Sequence, residues 1–205
     1  MPLIRIDTVA NDVKLGLWRM DEPLGDLPRP EGVDFSDIHS EVRLRERLTT
    51  YCLLGAMTGQ DNLIIRHEPS GKPVVEGYEI SVSHTKGWAA AMMSHDNAVG
   101  VDIEYYSERV NKVADRFIRP DEQNDTLAHR LINWSAKEAV YKLLSAEDLQ
   151  YFEMRLARIS CDDEGVVEVE DLKEGGSVAV SYTLNDDYVL TWAWKPRAFM
   201  LSSTN

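Results

Sequence analysis

The chain has 205 residues, 43% hydrophobic and 28% charged, with 35 acidic side chains against 22 basic ones and a formal net charge of minus 13. This balance fits a globular protein of one domain or two small ones. It excludes a nucleic-acid binder, whose charge is normally dominated by a basic face. Cys52 and Cys161 stand far apart with no CxxC spacing, so neither a disulfide framework nor a zinc site is expected. The opening residues include Arg5, Asp7, Asn11 and Asp12 and hold no continuous apolar run, and no window approaches the roughly 18 apolar residues of a membrane span. A cytoplasmic protein without a membrane partner is expected.

Ile4 and Ile6, then Val13, Leu15 and Leu17, alternate with other residues around a turn at 10–12, the pattern of a β-hairpin. A Pro- and Gly-rich loop is expected from Pro23 to Gly32. From Ser36 to Met57 apolar residues recur at spacings of three and four, predicting a helix stopped by Thr58 and Gly59. Strands are expected at Asn62 to His67 and Tyr78 to Ser83, followed by a hairpin of Trp88 to Met93 with Ala98 to Ile103 around Ser94 to Asn97. Glu108 to Phe117 reads as helical, and Thr126 to Leu144 more strongly so, with Ile132, Ala136, Ala139, Val140 and Leu143 on one face. Alternation returns at Phe152 to Ile159, Val166 to Val169, Ser177 to Leu184 and Tyr188 to Trp194. This order of strands and helices predicts an α+β chain of two halves, joined near residue 104. The acidic stretch from Asp162 to Glu174 lacks calcium-loop spacing and reads as a solvated face.

Four groups of residues could carry chemistry. In Gly100 to Glu104, side chains two apart on a strand share a side, so Asp102 and Glu104 present two carboxylates to one small volume. Such a pair repels unless a cation sits between, and oxygen ligands favour magnesium or manganese; the alternative is two surface acids at a strand end. In Asn133 to Leu144, Ser135 and Glu138 match a capping box, yet the apolar period runs through Ser135 from Leu127. Glu138 then projects from mid-helix with Lys142 four residues on, either as a surface pair or as a third converging carboxylate. In Ile80 to Lys86, Ser83 and His84 point to opposite faces of a strand and cannot form a nucleophile and base pair, and no G-x-S-x-G elbow occurs. They suit phosphate binding or a polar turn. Finally Arg43, Arg45 and Arg47 crowd one helix and Lys72 sits in a Gly71, Lys72, Pro73 turn, a basic pocket suited to a small polyphosphate.

Taken together, Gly71 to Pro73 with Ser83 and His84, then Val99 to Glu104, then Trp134 to Lys142 resemble the GKP and SH, VGVDIE and W-x-x-KEA-x-x-K motifs of the 4'-phosphopantetheinyl transferase superfamily, in its two-domain form. The match runs from about Glu41 to Leu144. The resemblance implies two pseudo-duplicated α+β lobes, residues 1–104 and 105–205, each with a small antiparallel sheet packed on a long helix and the active site in the cleft between. It implies transfer of the phosphopantetheine arm of coenzyme A to a serine of an acyl or peptidyl carrier protein, with release of adenosine 3',5'-bisphosphate. Asp102, Glu104 and Glu138 would hold magnesium, with manganese as the alternative. Glu138 would serve as general base, and Lys142 would neutralise phosphate charge. Arg43, Arg45, Arg47, Lys72, Ser83, His84, Lys137 and Lys142 would bind coenzyme A. The family's helix often reads R-x-E-W-L-x-x-R, whereas Arg47 and Tyr51 here occupy its tryptophan and last arginine slots, so the choice among the three arginines stays open. A chain with both lobes is expected to be a monomer. A coenzyme A or carrier-protein binding module and a metal-dependent pyrophosphate hydrolase are the competing readings.

Overall fold

The computed structural model describes residues 2–60, 62–69 and 71–197. The chain folds as two compact units, residues up to 98 with 196 and 197, and residues 99–195. The sequence reading divides the chain at 104, and residues 198–205 of its second lobe lie outside the described residues. Among the described residues no helix is long and apolar enough to cross a membrane.

In the first unit, β1 (Leu3–Ala10) and β2 (Val13–Arg19) form the expected hairpin. Asp12 turns it with φ 61°, and its carboxylate accepts from the Ser94 hydroxyl and the amides of His95 and Asp96. Helix α1 (Glu41–Thr58) starts five residues later than the sequence suggests, because Ser36 closes a turn on Asp34 and Ser40 is the residue that caps the Arg43 amide. It ends as expected, with Gly59 in the left-handed region at φ 73°. A small two-stranded sheet follows, β3 (Ile65–His67) with β4 (Pro73–Val75), the second of which the sequence reading does not anticipate. Then come β5 (Glu79–Thr85) and β6 (Trp88–Ser94). The main sheet has the antiparallel order β1-β2-β6-β5. Against it packs α1, through Leu48, Leu53, Leu54 and Met57.

In the second unit β7 (Asn97–Tyr105) pairs not with β6, as the expected hairpin requires, but with β11 (Tyr188–Pro196). Alternation identifies a strand and not its partner: β6 is already flanked by β2 and β5. Residues expected as one helix form two 3-10 turns, Glu108–Lys112 and Ala114–Arg116. Val110, Ala114 and Phe117 are buried at helical spacing, but Val113 between the turns leaves helical geometry with φ −126° and ψ 1°. Helix α2 (Leu127–Leu143) is capped by Thr126, so Ser135 lies inside it, buried and bonded to Thr191, and the capping-box alternative for Glu138 falls away. The sheet is completed by β8 (Met154–Leu156), β9 (Glu164–Asp171) and β10 (Ser177–Leu184), in the order β7-β11-β10-β9-β8. Each unit is thus a sheet built from antiparallel pairs with one long helix, an α+β architecture.

Gly100 sets how closely α2 lies against β7. A Cβ there would stand 2.1 Å from the Ala139 carbonyl oxygen and 2.9 Å from the Leu143 backbone nitrogen. Neither backbone atom can move without shifting the helix. Gly100→Ala is therefore expected to destabilise the fold by about 1–3 kcal/mol or more, read from the midpoint of chemical denaturation. Gly25→Ala, where nothing lies within 4 Å of the added methyl, should change it by less than about 0.5 kcal/mol.

Candidate active site

Strand alternation puts Gly100, Asp102 and Glu104 on one face of β7, the face that Gly100 opens to α2. Opposite them, Trp134, Glu138 and Lys142 recur every four residues and so form one stripe along α2. From Leu131 to Val140 every residue of the helix is buried except Trp134 and Glu138, so this stripe is where α2 opens. The pairings run in order along the two elements. Lys142 donates to Asp102 Oδ1 at 2.7 Å and to the Val101 carbonyl at 3.0 Å, and Trp134 Nε1 donates to Glu104 Oε1 at 2.7 Å. Tyr151, just before β8, donates its hydroxyl to Glu138 Oε1 at 2.7 Å.

The electrostatics follow from burial and proximity. Asp102 is only 3% exposed. Burial, and then the neighbouring Asp102 charge, push Glu104 up to about 7, against the opposing pull of the Trp134 hydrogen bond and Lys142. Glu138 is raised as well, by burial first, with the Tyr151 hydrogen bond acting the other way and Asp102 adding repulsion. Asp102, Glu104 and Glu138 are an oxygen-only donor set, whose chemistry fits a hard divalent cation rather than zinc. Among the described residues no three acidic, His or Cys side chains are already gathered into a finished coordination group.

Lys137 does not belong to this face. One residue from Glu138 is a turn of about 100° around the helix, and that turn carries Lys137 into the interior beside Asn133 and Val140. There it is 0% exposed, donating to Glu122 Oε2 at 2.9 Å and to the Phe117 carbonyl at 2.6 Å, and burial lowers its proton affinity. The expected coenzyme A contact is therefore withdrawn, because this ammonium has no exposed surface. Glu122 also accepts the amides of Arg119 and Leu156, so it ties α2 to β8.

The basic residues of the first unit separate into two groups. Arg43, Arg47, Thr50, His39, His67 and His84 line a cavity of about 640 Å³ along α1. The two terminal nitrogens of Arg47 lie against the ring nitrogens of His67, only one of which can accept a hydrogen bond, and burial with that positive charge holds His67 below its ordinary value. The hydroxyl proton of Thr50 is engaged by the Glu46 carbonyl at 2.9 Å, so the 2.9 Å contact with His84 has His84 Nε2 as its donor. Arg45 leaves this cavity and donates to the Glu22 carbonyl. Ser83, buried, alternates away from the face of Val82 and His84 and does not line the cavity, and Lys72 pairs with Glu79 at 3.6 Å. Sequence reasoning missed Tyr151, Glu122 and His67. None lies in a motif, and only the fold brings them to their partners.

A family model described as the 4'-phosphopantetheinyl transferase superfamily matches residues 98–193, the stretch that contains the whole carboxylate and stripe arrangement. The chain is similar to 4'-phosphopantetheinyl transferase psf-1 of Bacillus pumilus, 30% identical over 139 residues, which are 62% of this chain and 59% of that protein. It is similar also to 4'-phosphopantetheinyl transferase gsp of Aneurinibacillus migulanus, 29% identical over 93 residues, or 41% and 39% of the two chains. The matched segments span less than two thirds of either relative.

Folded Glu104 keeps its proton to about pH 7, whereas its ordinary value is 4.5. Between those values the folded state binds more protons than the unfolded chain, so this contribution to stability is present at low pH and is lost as pH rises through about 7. In the presence of a chelator, Glu104→Gln is expected to raise the melting temperature at pH 8 and to leave it nearly unchanged at pH 5. Equal shifts at both values would contradict the environment assigned to Glu104.

Proposed function

Because residues 98–193 match the 4'-phosphopantetheinyl transferase superfamily model and include Asp102, Glu104 and Glu138, we propose that the protein transfers the 4'-phosphopantetheine arm of coenzyme A to a serine of an apo acyl or peptidyl carrier protein. The second product is adenosine 3',5'-bisphosphate. One observation carries this reading: the carboxylate row of β7 faces the Trp134, Glu138 and Lys142 stripe of α2. An acidic chain gains from such a row only if it serves a cation or a proton transfer, since burying like charges is costly.

Asp102, Glu104 and Glu138 would hold magnesium or manganese, which when bound supplies positive charge to the pyrophosphate oxygens of coenzyme A. Glu138 takes the proton of the carrier serine, directly or through a water. The serine oxygen bonds to the phosphorus that bears the pantetheine arm. The bond from that phosphorus to the bridging oxygen breaks, and the electron pair leaves with the bisphosphate. An ammonium has three N–H groups, and Lys142 uses two on Asp102 and the Val101 carbonyl, leaving one for a phosphate oxygen. In the first unit, Arg43 and Arg47 supply donors suited to phosphate groups. The same reading has the chain acting as a monomer in the cytoplasm.

The test is incubation of the full chain with coenzyme A, magnesium and several apo carrier proteins, followed by mass spectrometry. At least one carrier should gain the phosphopantetheine mass. No gain on any carrier would refute the transferase, and free phosphopantetheine released from coenzyme A in that case would indicate pyrophosphate hydrolysis instead. Glu138→Gln should lower transfer by a factor on the order of 10²–10⁴ with its circular dichroism unchanged. Wild-type transfer by that variant would remove Glu138 as base and as ligand.

A further inference from the structure

Tyr151 is absent from every motif that the sequence offers, yet its hydroxyl meets Glu138 Oε1 at 2.7 Å. Three features make this contact more than an accidental one. First, the ring is held: it packs on Trp134 with centroids 5.3 Å apart and planes at 39°, and Trp134 itself donates to Glu104. The indole and the phenol thus form one aromatic brace that grips one oxygen of each of two carboxylates.

Second, the backbone that carries Tyr151 is anchored on both sides. It begins the 3-10 turn Tyr151–Glu153, which is closed by a reciprocal cap between Gln150 and Glu153. The next carbonyl, that of Phe152, accepts from Arg119 at 2.6 Å, and the Glu153 carbonyl accepts the Leu172 amide at 2.8 Å.

Third, the distance from this turn to α2 is fixed by the buried node around Glu122. That carboxylate accepts from Lys137, the residue before Glu138, and from the Leu156 amide at the end of β8. Lys137 and Tyr151 therefore act at the two ends of one rigid frame. A phenol set in such a frame has a defined direction, and a hydrogen bond from it removes the rotational freedom of the carboxylate that accepts it.

We propose that Tyr151 is a positioning residue for the transfer: its O–H fixes one carboxylate oxygen of Glu138 and directs the other toward the carrier serine and the cation. The inference rests on the proposed transferase function and extends it to a residue that no shared motif covers. Phenylalanine keeps the ring packing on Trp134 and deletes only the hydroxyl, so Tyr151→Phe separates positioning from folding.

Two measurements on the full chain decide the matter. In steady-state transfer to an accepted carrier, Tyr151→Phe should lower kcat by about 10–100-fold while KM for coenzyme A stays within about twofold, the size usual for loss of a group that orients a ligand. In calorimetric titration with magnesium chloride alone, the apparent Kd should rise by about tenfold. The inference is overturned if kcat and the magnesium Kd both match wild type, or if kcat, KM and the melting temperature deteriorate together, as a purely structural role would give. A wild type that modifies no carrier refutes the function rather than Tyr151. The magnesium titration then stands alone, and equal behaviour of wild type and variant overturns the positioning role.

Discussion

The close approach of α2 to β7 depends on a missing side chain. Only a glycine at position 100 lets the carbonyl of Ala139 and the backbone of Leu143 lie where they do, and any Cβ there would meet the helix backbone at 2.1 Å. Everything chemical in the second unit follows from that contact. Two residues further along the strand lies Asp102, within reach of Lys142, and two further still is Glu104, within reach of Trp134. A strand advances two residues per repeat on one face while a helix advances about four, so the two rows run side by side for three contacts. Glu138 lies in the middle of the helical row, where its carboxylate accepts from Tyr151.

This geometry gathers negative charge where a protein at minus 13 can least accommodate it. Part of that cost is offset by internal donors of three kinds: an ammonium on Asp102, an indole on Glu104 and a phenol on Glu138. The compensation is incomplete, as the upward displacement of both glutamates records. Residual repulsion of this sort is what a divalent cation relieves, and it gives an acidic protein a way to hold a polyphosphate: the local sign inverts only where the cation sits. An oppositely charged pair lies elsewhere. The side chains of Lys137 and Glu122 are sealed from solvent and bonded to each other, to the Phe117 carbonyl and to the Leu156 amide, and their contribution is rigidity between α2 and β8.

Much of this was readable in the residues, because the relevant signals are local. The shared side of Asp102 and Glu104 follows from strand periodicity, and the internal position of Ser135 from the unbroken apolar run of α2. Gly59 stops α1 as its chemistry requires. What escaped was non-local. That β7 pairs with β11 rather than β6 depends on which edges are already taken. Lys137 and Lys142 are alike in type, and both lie in a motif, yet one turns inward and the other outward by their angle around the helix. Among the three arginines of α1, Arg43 and Arg47 share a stripe that faces the cavity, and Arg45 lies off it. Tyr151 and Glu122 sit in irregular segments without periodicity, so nothing in the sequence could have aimed them at Glu138 and Lys137.

The central claim is that β7 and α2 together form a site for a hard cation. Anomalous diffraction from crystals grown with manganese and coenzyme A addresses it most directly. The expected map has one strong peak within about 2.0–2.6 Å of oxygens from Asp102, Glu104 and Glu138. A map with no peak there would contradict the account.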